Sequence, residues 1–169
     1  MTTYPLRKLR LRPGEEHRDE VLVQLEPFEL GGERYLPVPA EAPAELTINR
    51  ATGGDVFRLR FETRLHGPCM RCLEDAVVAV SVDGREYHSA DDRADEQLRT
   101  AYVVDDRLEL SPWARDAIAL ELPEQILCRP HCAGLCPVCG VNLNREPHEH
   151  PDEPSHARWA ALESLRDRL

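Results

Sequence analysis

Apolar and polar residues alternate with period two along the first half of the chain, the pattern of half-buried strands. Leu9 and Leu11 alternate with Lys8, Arg10 and Arg12, and Val21, Val23 and Leu25 alternate with Leu22, Gln24 and Glu26. Leu30-Gly31-Gly32-Glu33 offers Gly-Gly where a tight hairpin needs positive φ, and leads into Tyr35-Leu36-Pro37-Val38. The proline-rich run from Val38 to Pro43 is excluded from a central strand, because proline cannot donate to the ladder, and is expected as a connector or edge. The clearest pair runs from Leu46-Thr47-Ile48 through a turn at Thr52-Gly53-Gly54-Asp55. Beyond it Phe57, Leu59, Phe61 and Leu65 share one face, and Arg58, Arg60, Glu62 and Arg64 the other. Ala76 to Val82 reads as a further short strand.

Two helices follow from period 3.6. Ser111-Pro112 predicts an N-cap with proline at the first helical position, followed by Trp113, Ala117, Ile118, Leu120 and Leu122 up to Pro123. From Ser155 to Leu169, Trp159, Leu162, Leu165 and Leu169 form one stripe, expected to pack the last helix onto the body. Between Glu86 and Glu109, eight acidic residues stand against three arginines, which predicts an exposed, mobile excursion. No internal repeat is seen. The fold class expected is α+β: an antiparallel β-rich body with a short helix, a zinc-knuckle segment and a C-terminal helix. The divisions are 1–125 for the body and 126–169 for the knuckle segment and last helix, packed as one unit.

Composition narrows the function classes. No stretch of the 169 residues approaches the roughly 20 apolar residues that span a bilayer. Basic residues near the start lack a following apolar run, so no secretory signal is read and the chain is placed in the cytoplasm. A net charge of −10 argues against a general electrostatic grip on nucleic acid, since phosphate binding needs clustered cations.

The reducing compartment decides how six cysteines are read: as metal ligands or redox groups rather than disulfides. They occur as Cys69-Met70-Arg71-Cys72, Cys128-Arg129-Pro130-His131-Cys132 and Cys136-Pro137-Val138-Cys139-Gly140. A C-x2-C turn sets two thiolates on one side of a tight loop, and two such pairs complete a tetrahedron around zinc. His148 and His150 raise the candidate ligands to eight, enough for two closed structural sites, and the H-E-x-x-H spacing of a zinc protease is absent. Three groupings are open. The first joins Cys69 and Cys72 with Cys128 and Cys132, leaving Cys136, Cys139, His148 and His150. The second joins Cys69 and Cys72 with Cys136 and Cys139. The third makes one local site from the last four cysteines. Two occupied sites of the first kind would take the formal charge to about −12.

These residues resemble the bacterial and plastid YceD-like family. The resemblance rests on Cys69-Met70-Arg71-Cys72-Leu73 after a strand, on Leu110-Ser111-Pro112, on Leu122-Pro123, and most specifically on the run from Cys132 to Asn144. Ala157-Arg158-Trp159-Ala160-Ala161-Leu162 also fits, and the match runs in order through most of residues 20–169. It implies a factor for accumulation of large-subunit ribosomal RNA, with no established enzymatic activity. Many members carry C-x-C where this chain has His148-Glu149-His150, which implies that the histidines replace cysteine ligands. Other members lack the counterparts of Cys136 and Cys139 while keeping the first pair, which favours the first grouping.

The expected function is therefore a non-catalytic ribosome-assembly factor with structural zinc. Two routes to a partner are open: Arg58, Arg60, Arg64 and Arg71 as a basic stripe for rRNA, or the acidic segment 86–109 for a basic ribosomal protein, the route that the net charge of −10 favours. The alternatives from other classes are a zinc-dependent hydrolase or nuclease, and a redox-sensitive zinc thiol switch.

Overall fold

A computed structural model describes residues 1–91 and 95–151. Met1–Cys132 form one compact unit and a second begins at Ala133, so Cys128 and Cys132 belong to the same unit as Cys69 and Cys72. The expected C-terminal helix at Ser155–Leu169 lies outside the described residues.

Nine strands and one α-helix are found among the described residues: β1 (Thr3–Pro5), β2 (Glu16–Gln24), β3 (Phe28–Leu30), β4 (Glu33–Val38), β5 (Glu41–Ala51), β6 (Gly54–Pro68), β7 (Asp75–Ser89), β8 (Val103–Val104), β9 (Arg107–Glu109) and α1 (Leu110–Glu121). The protein is mostly antiparallel sheet. β6 is the spine of a six-stranded sheet ordered β2-β5-β6-β4-β3, with β7 paired along its whole length on the other edge. β5 and β4 share the first edge, β5 against Gly54–Arg60 and β4 against Arg64–His66. A small sheet, β1-β9-β8, carries the start of the chain.

The core is built on one face of these strands. Val23, Leu46, Ile48, Phe57, Leu59, Phe61, Leu65, Val80 and Val82 are all buried, at even spacings along each strand, with Thr63 between Phe61 and Leu65 on the same face. α1 lies on β7 and also touches β2, so it covers the core between the two outer strands. Its Trp113 stacks on Tyr102 at 6.2 Å, and the guanidinium of Arg115 sits 5.7 Å from the centre of the Phe28 ring.

Several expectations are corrected. Lys8–Arg12 forms no strand: the segment turns, with Leu9 N–H donating to Leu6 O, and no strand among the described residues pairs with it. The β5–β6 turn is Thr52-Gly53, one residue earlier than expected. Gly54 lies in the ladder, where a Cβ would stand 2.2 Å from the carbonyl oxygen of His88; close approach, not a turn, requires glycine there. Pro43 sits inside β5, in the part that pairs with β2 alone, so its missing N–H breaks no second ladder. Ser111 is not the helix cap. Glu109 occupies that position, and Ser111 Oγ accepts the N–H of Thr2 at 2.8 Å. Leu120 is 86% exposed, because the buried face runs through Leu110, Trp113, Ala114, Ala117 and Ile118. Much of the acidic stretch is ordered: β7 continues to Ser89, and Val104-Asp105-Asp106-Arg107 makes a two-residue hairpin with both aspartates at positive φ. The Gly31-Gly32 hairpin forms as the sequence implies, at φ 62° and 85°.

Candidate metal centres and the arginine face

The long β6–β7 hairpin ends in the loop Cys69–Glu74. Its entry is fixed by Tyr35, fully buried, whose hydroxyl donates to Pro68 O at 2.8 Å. Gly67 allows this: a Cβ there would fall 2.3 Å from the Tyr35 ring. Within the loop, Cys69 N–H donates to Glu74 O at 2.7 Å and Leu73 N–H to Cys69 O at 3.0 Å. Leu73 takes φ 61°, the left-handed region rarely visited outside glycine. The Cys136–Val141 loop repeats the pattern: Cys136 N–H donates to Val141 O at 2.8 Å, Gly140 N–H to Cys136 O at 2.9 Å, and Gly140 takes φ 74°. Two unrelated stretches of sequence thus fold into the same knuckle.

In the first unit the segment after α1 is pinned to its knuckle by Met70 N–H to Ile126 O at 2.9 Å. This brings Cys69 Sγ to 3.7 Å from Cys132 Sγ and Cys72 Sγ to 3.6 Å from Cys128 Sγ. All four sulfurs lie within 4.8 Å of one another. A tetrahedral zinc with bonds of about 2.3 Å sets its sulfurs about 3.8 Å apart, so the donor set fits such an ion. Burial pushes the Cys69 thiol up, but backbone N–H groups of Arg71, Cys128 and Cys72 aimed at its sulfur outweigh that and bring it to about 6. Burial, with the crowding of the other thiols, pushes Cys72 up to about 12. All four could ionise together only around a cation, which would offset their mutual repulsion.

In the second unit Cys136, Cys139, His148 and His150 also place one donor atom each within 4.8 Å. The N–H of Cys139, then that of Val138, hold the Cys136 thiol down at about 6. His148 Nδ1–H donates to Glu146 O at 2.8 Å, which leaves Nε2 as the free lone pair. That Nε2 stands 3.1 Å from Cys139 Sγ and 3.1 Å from His150 Nε2, and His150 Nε2 is 3.4 Å from Cys139 Sγ. One ion at the centre would satisfy all of these acceptors. Asn142 and Asn144, whose role the spacing of cysteines did not reveal, hold the loop: Ala133 N–H donates to Asn144 Oδ1 and Asn144 N–H to Asn142 Oδ1, at 2.8 and 2.9 Å. The fold therefore assembles the first of the three groupings, and both clusters could hold a metal ion.

The arginines do not act alike. Arg58, Arg60 and Arg64 share the outer face of β6 and Arg71 is exposed in the first knuckle. Arg58 makes a two-pronged ion pair with Asp83, at 2.6 and 2.5 Å, and Arg60 pairs with Glu45. Glu62, on the same face, is partner to neither. These guanidiniums hold the Asp83 and Glu45 carboxyls below their ordinary range. Arg64 faces Val38 and Ala79 across its two strand neighbours, and it and Arg71 make no ion pair among the described residues.

No helix among the described residues is long and apolar enough to cross a membrane. No solved structure matches the chain. An uncharacterized protein of Mycobacterium tuberculosis is 43% identical over 101 residues, covering 57% of this chain and 48% of that protein. An uncharacterized protein of Mycobacterium leprae is 34% identical over the same length, covering 57% and 46%. The chain thus spans about half the length of these curated relatives. A chloroplast protein of Zea mays named large ribosomal RNA subunit accumulation protein YCED homolog 1 is 36% identical over 69 residues, 41% of this chain and 22% of that protein. A family model described as large ribosomal RNA subunit accumulation protein YceD matches residues 57–166, from near the start of β6 through both cysteine clusters. By that match the chain belongs to the YceD family.

Proposed function

We propose that this protein is a non-catalytic assembly factor that supports accumulation of large-subunit rRNA, with two structural zinc ions and a direct rRNA contact at the knuckle end of β6. Family membership, with the rRNA named in the family's description, carries the ribosomal part of this reading. The donor sets carry the zinc: Cys69, Cys72, Cys128 and Cys132 in one cluster, Cys136, Cys139, His148 and His150 in the other. Each offers four protein ligands, which leaves no position for a reactive water and favours a structural over a hydrolytic metal. RNA is favoured over a basic protein by Arg64 and Arg71, which lie seven residues apart and have no ion-pair partner among the described residues, and by exposed Leu36, Val38 and Val77. Single-stranded RNA asks for such a mixture of cation and apolar surface.

Two measurements test this. Metal analysis of the native chain is expected to give about two zinc per chain, and about one in Cys69→Ser; a metal-free folded protein would remove the zinc claim. Crosslinking in cells is expected to recover large-subunit rRNA, with depletion lowering the large subunit in sedimentation profiles. Recovery of a ribosomal protein without rRNA would reassign the partner, and normal subunit profiles on depletion would sink the assembly role.

A further inference from the structure

The first edge of β6 has a gap. β4 pairs up to Val38 opposite Arg64, and β5 takes over only at Glu45 opposite Arg60. Phe61, Glu62 and Thr63 therefore have no ladder partner on that edge, although β7 still pairs with them on the other. The intervening residues swing away, and Ala42–Ala44 pair with β2 instead. The result is a notch in the sheet of about 640 Å³, lined by Val38, Pro39, Glu62, Arg64, Ala79 and Ser81, with Thr63 also in its wall.

Two further observations mark it as a site. Thr63 is 5% exposed, and its hydroxyl has no hydrogen-bond partner among the described residues. A buried, unsatisfied hydroxyl in a native protein calls for an explanation, and a ligand supplies one. At the rim stands Arg64, which has no carboxylate partner among the described residues. The notch thus offers apolar walls, an unpaired strand edge with its N–H and C=O groups, a carboxylate, hydroxyls and a free guanidinium.

A strand-adding peptide does not suit it. Three unpaired residues span only about 10 Å, and Val38 and Glu45 block both ends. A flat heterocycle with donors and acceptors on its edge and an anionic tail does, and the volume lies in the range of small-molecule sites. We propose that the notch holds one unstacked nucleobase of single-stranded RNA, its edge against Glu62, Thr63 and the open β6 backbone, its adjacent phosphate on Arg64. This rests on the reading of rRNA as the direct partner and names where that RNA is held.

The test uses the full zinc-loaded chain with labelled single-stranded RNA of about eight nucleotides, read by fluorescence anisotropy and by mass-spectrometric mapping of 4-thiouridine crosslinks. Crosslinks are expected within 61–66 and 79–81. Ala79→Phe, which fills the notch from the exposed face of β7, and Thr63→Val are each expected to weaken binding, the former by about tenfold. Arg85→Gln, on the same sheet face outside the notch, should leave affinity unchanged. If the native chain binds RNA but its crosslinks map elsewhere, or if both notch variants bind as tightly as the native chain, the notch falls and the RNA reading stands. If no RNA binds up to about 0.1 mM, weaker than ordinary non-specific association, or if a protein crosslinks there instead, both fall.

Discussion

Gly140 and Leu73 occupy the same place in the two knuckles, one residue after the second cysteine, and both have positive φ. The left-handed conformation costs a side-chain-bearing residue about 1–2 kcal/mol, so Leu73 stores strain that Gly140 avoids. Nothing lies within 4 Å of a Cβ built on Gly140. Gly140→Ala is therefore expected to cost about 1 kcal/mol by torsion alone, seen as a several-fold weaker hold on zinc in a competition titration, without loss of fold. Tyrosine ionisation offers a second residue-scale outcome. Burial, then the hydrogen bond to Asp19, raises Tyr4 to about 12; burial, then the hydrogen bond to Asp116, does the same for Tyr102. Their folded values lie above the ordinary 10, so the folded state keeps the proton longer than the unfolded one. Their contribution is complete below pH 10 and is lost as pH rises toward 12. Thermal melts are expected to fall over that interval, and less steeply in Tyr4→Phe and Tyr102→Phe; identical pH profiles in the variants would refute the assignment.

At the scale of elements, the β6–β7 hairpin does two jobs. Its middle forms the core, and its tip carries Cys69 and Cys72 into place. The join between them is the Gly67–Tyr35 contact, where any side chain on Gly67 meets a fully buried ring. Gly67→Ala is expected to destabilise the first unit by about 3 kcal/mol, as overpacking does, and to weaken the four-cysteine site more than the Cys136 site. Chemical denaturation with a zinc competitor measures both; equal effects on the two sites would count against this route. Strand existence and the apolar face of β6 were legible, because period-two alternation has no other economical explanation. Helix α1 was legible, but Ser111 is not its cap, Leu122 lies past its last turn, and Leu120 belongs to the pattern by hydrophobicity yet falls outside the arc that meets β7. The Lys8–Arg12 strand failed for the opposite reason. Alternation shows that a segment suits a sheet, not that a neighbour is there to pair with it.

Across the whole molecule the formal charge of −10 makes any RNA contact local. Ion pairing decides how local: Arg58 and Arg60 are already neutralised by Asp83 and Glu45, leaving Arg64 and Arg71. With two phosphates contacted, the slope of log affinity against log salt for single-stranded RNA is expected near −1.4; four contacts would bring it to about −2.8. An anisotropy titration across salt concentrations separates these, and the steeper slope would restore the full stripe.

The sequence by itself determined the types and spacing of the donors, which are those of closed tetrahedral metal sites. Spacing is local, so a C-x2-C turn announces itself within four residues. It also determined that the sheet would be antiparallel, since tight turns such as Gly31-Gly32 permit nothing else. Tertiary structure alone decided which pairs meet, because Cys69 and Cys132 lie 63 residues apart and only the register of β6 on β7, with Met70 bonded to Ile126, brings them to 3.7 Å. It decided too which arginines stay free and where the sheet opens beside Thr63. Both depend on what stands on the neighbouring strand, and pairing between strands is a property of the folded chain that no single stretch of sequence contains.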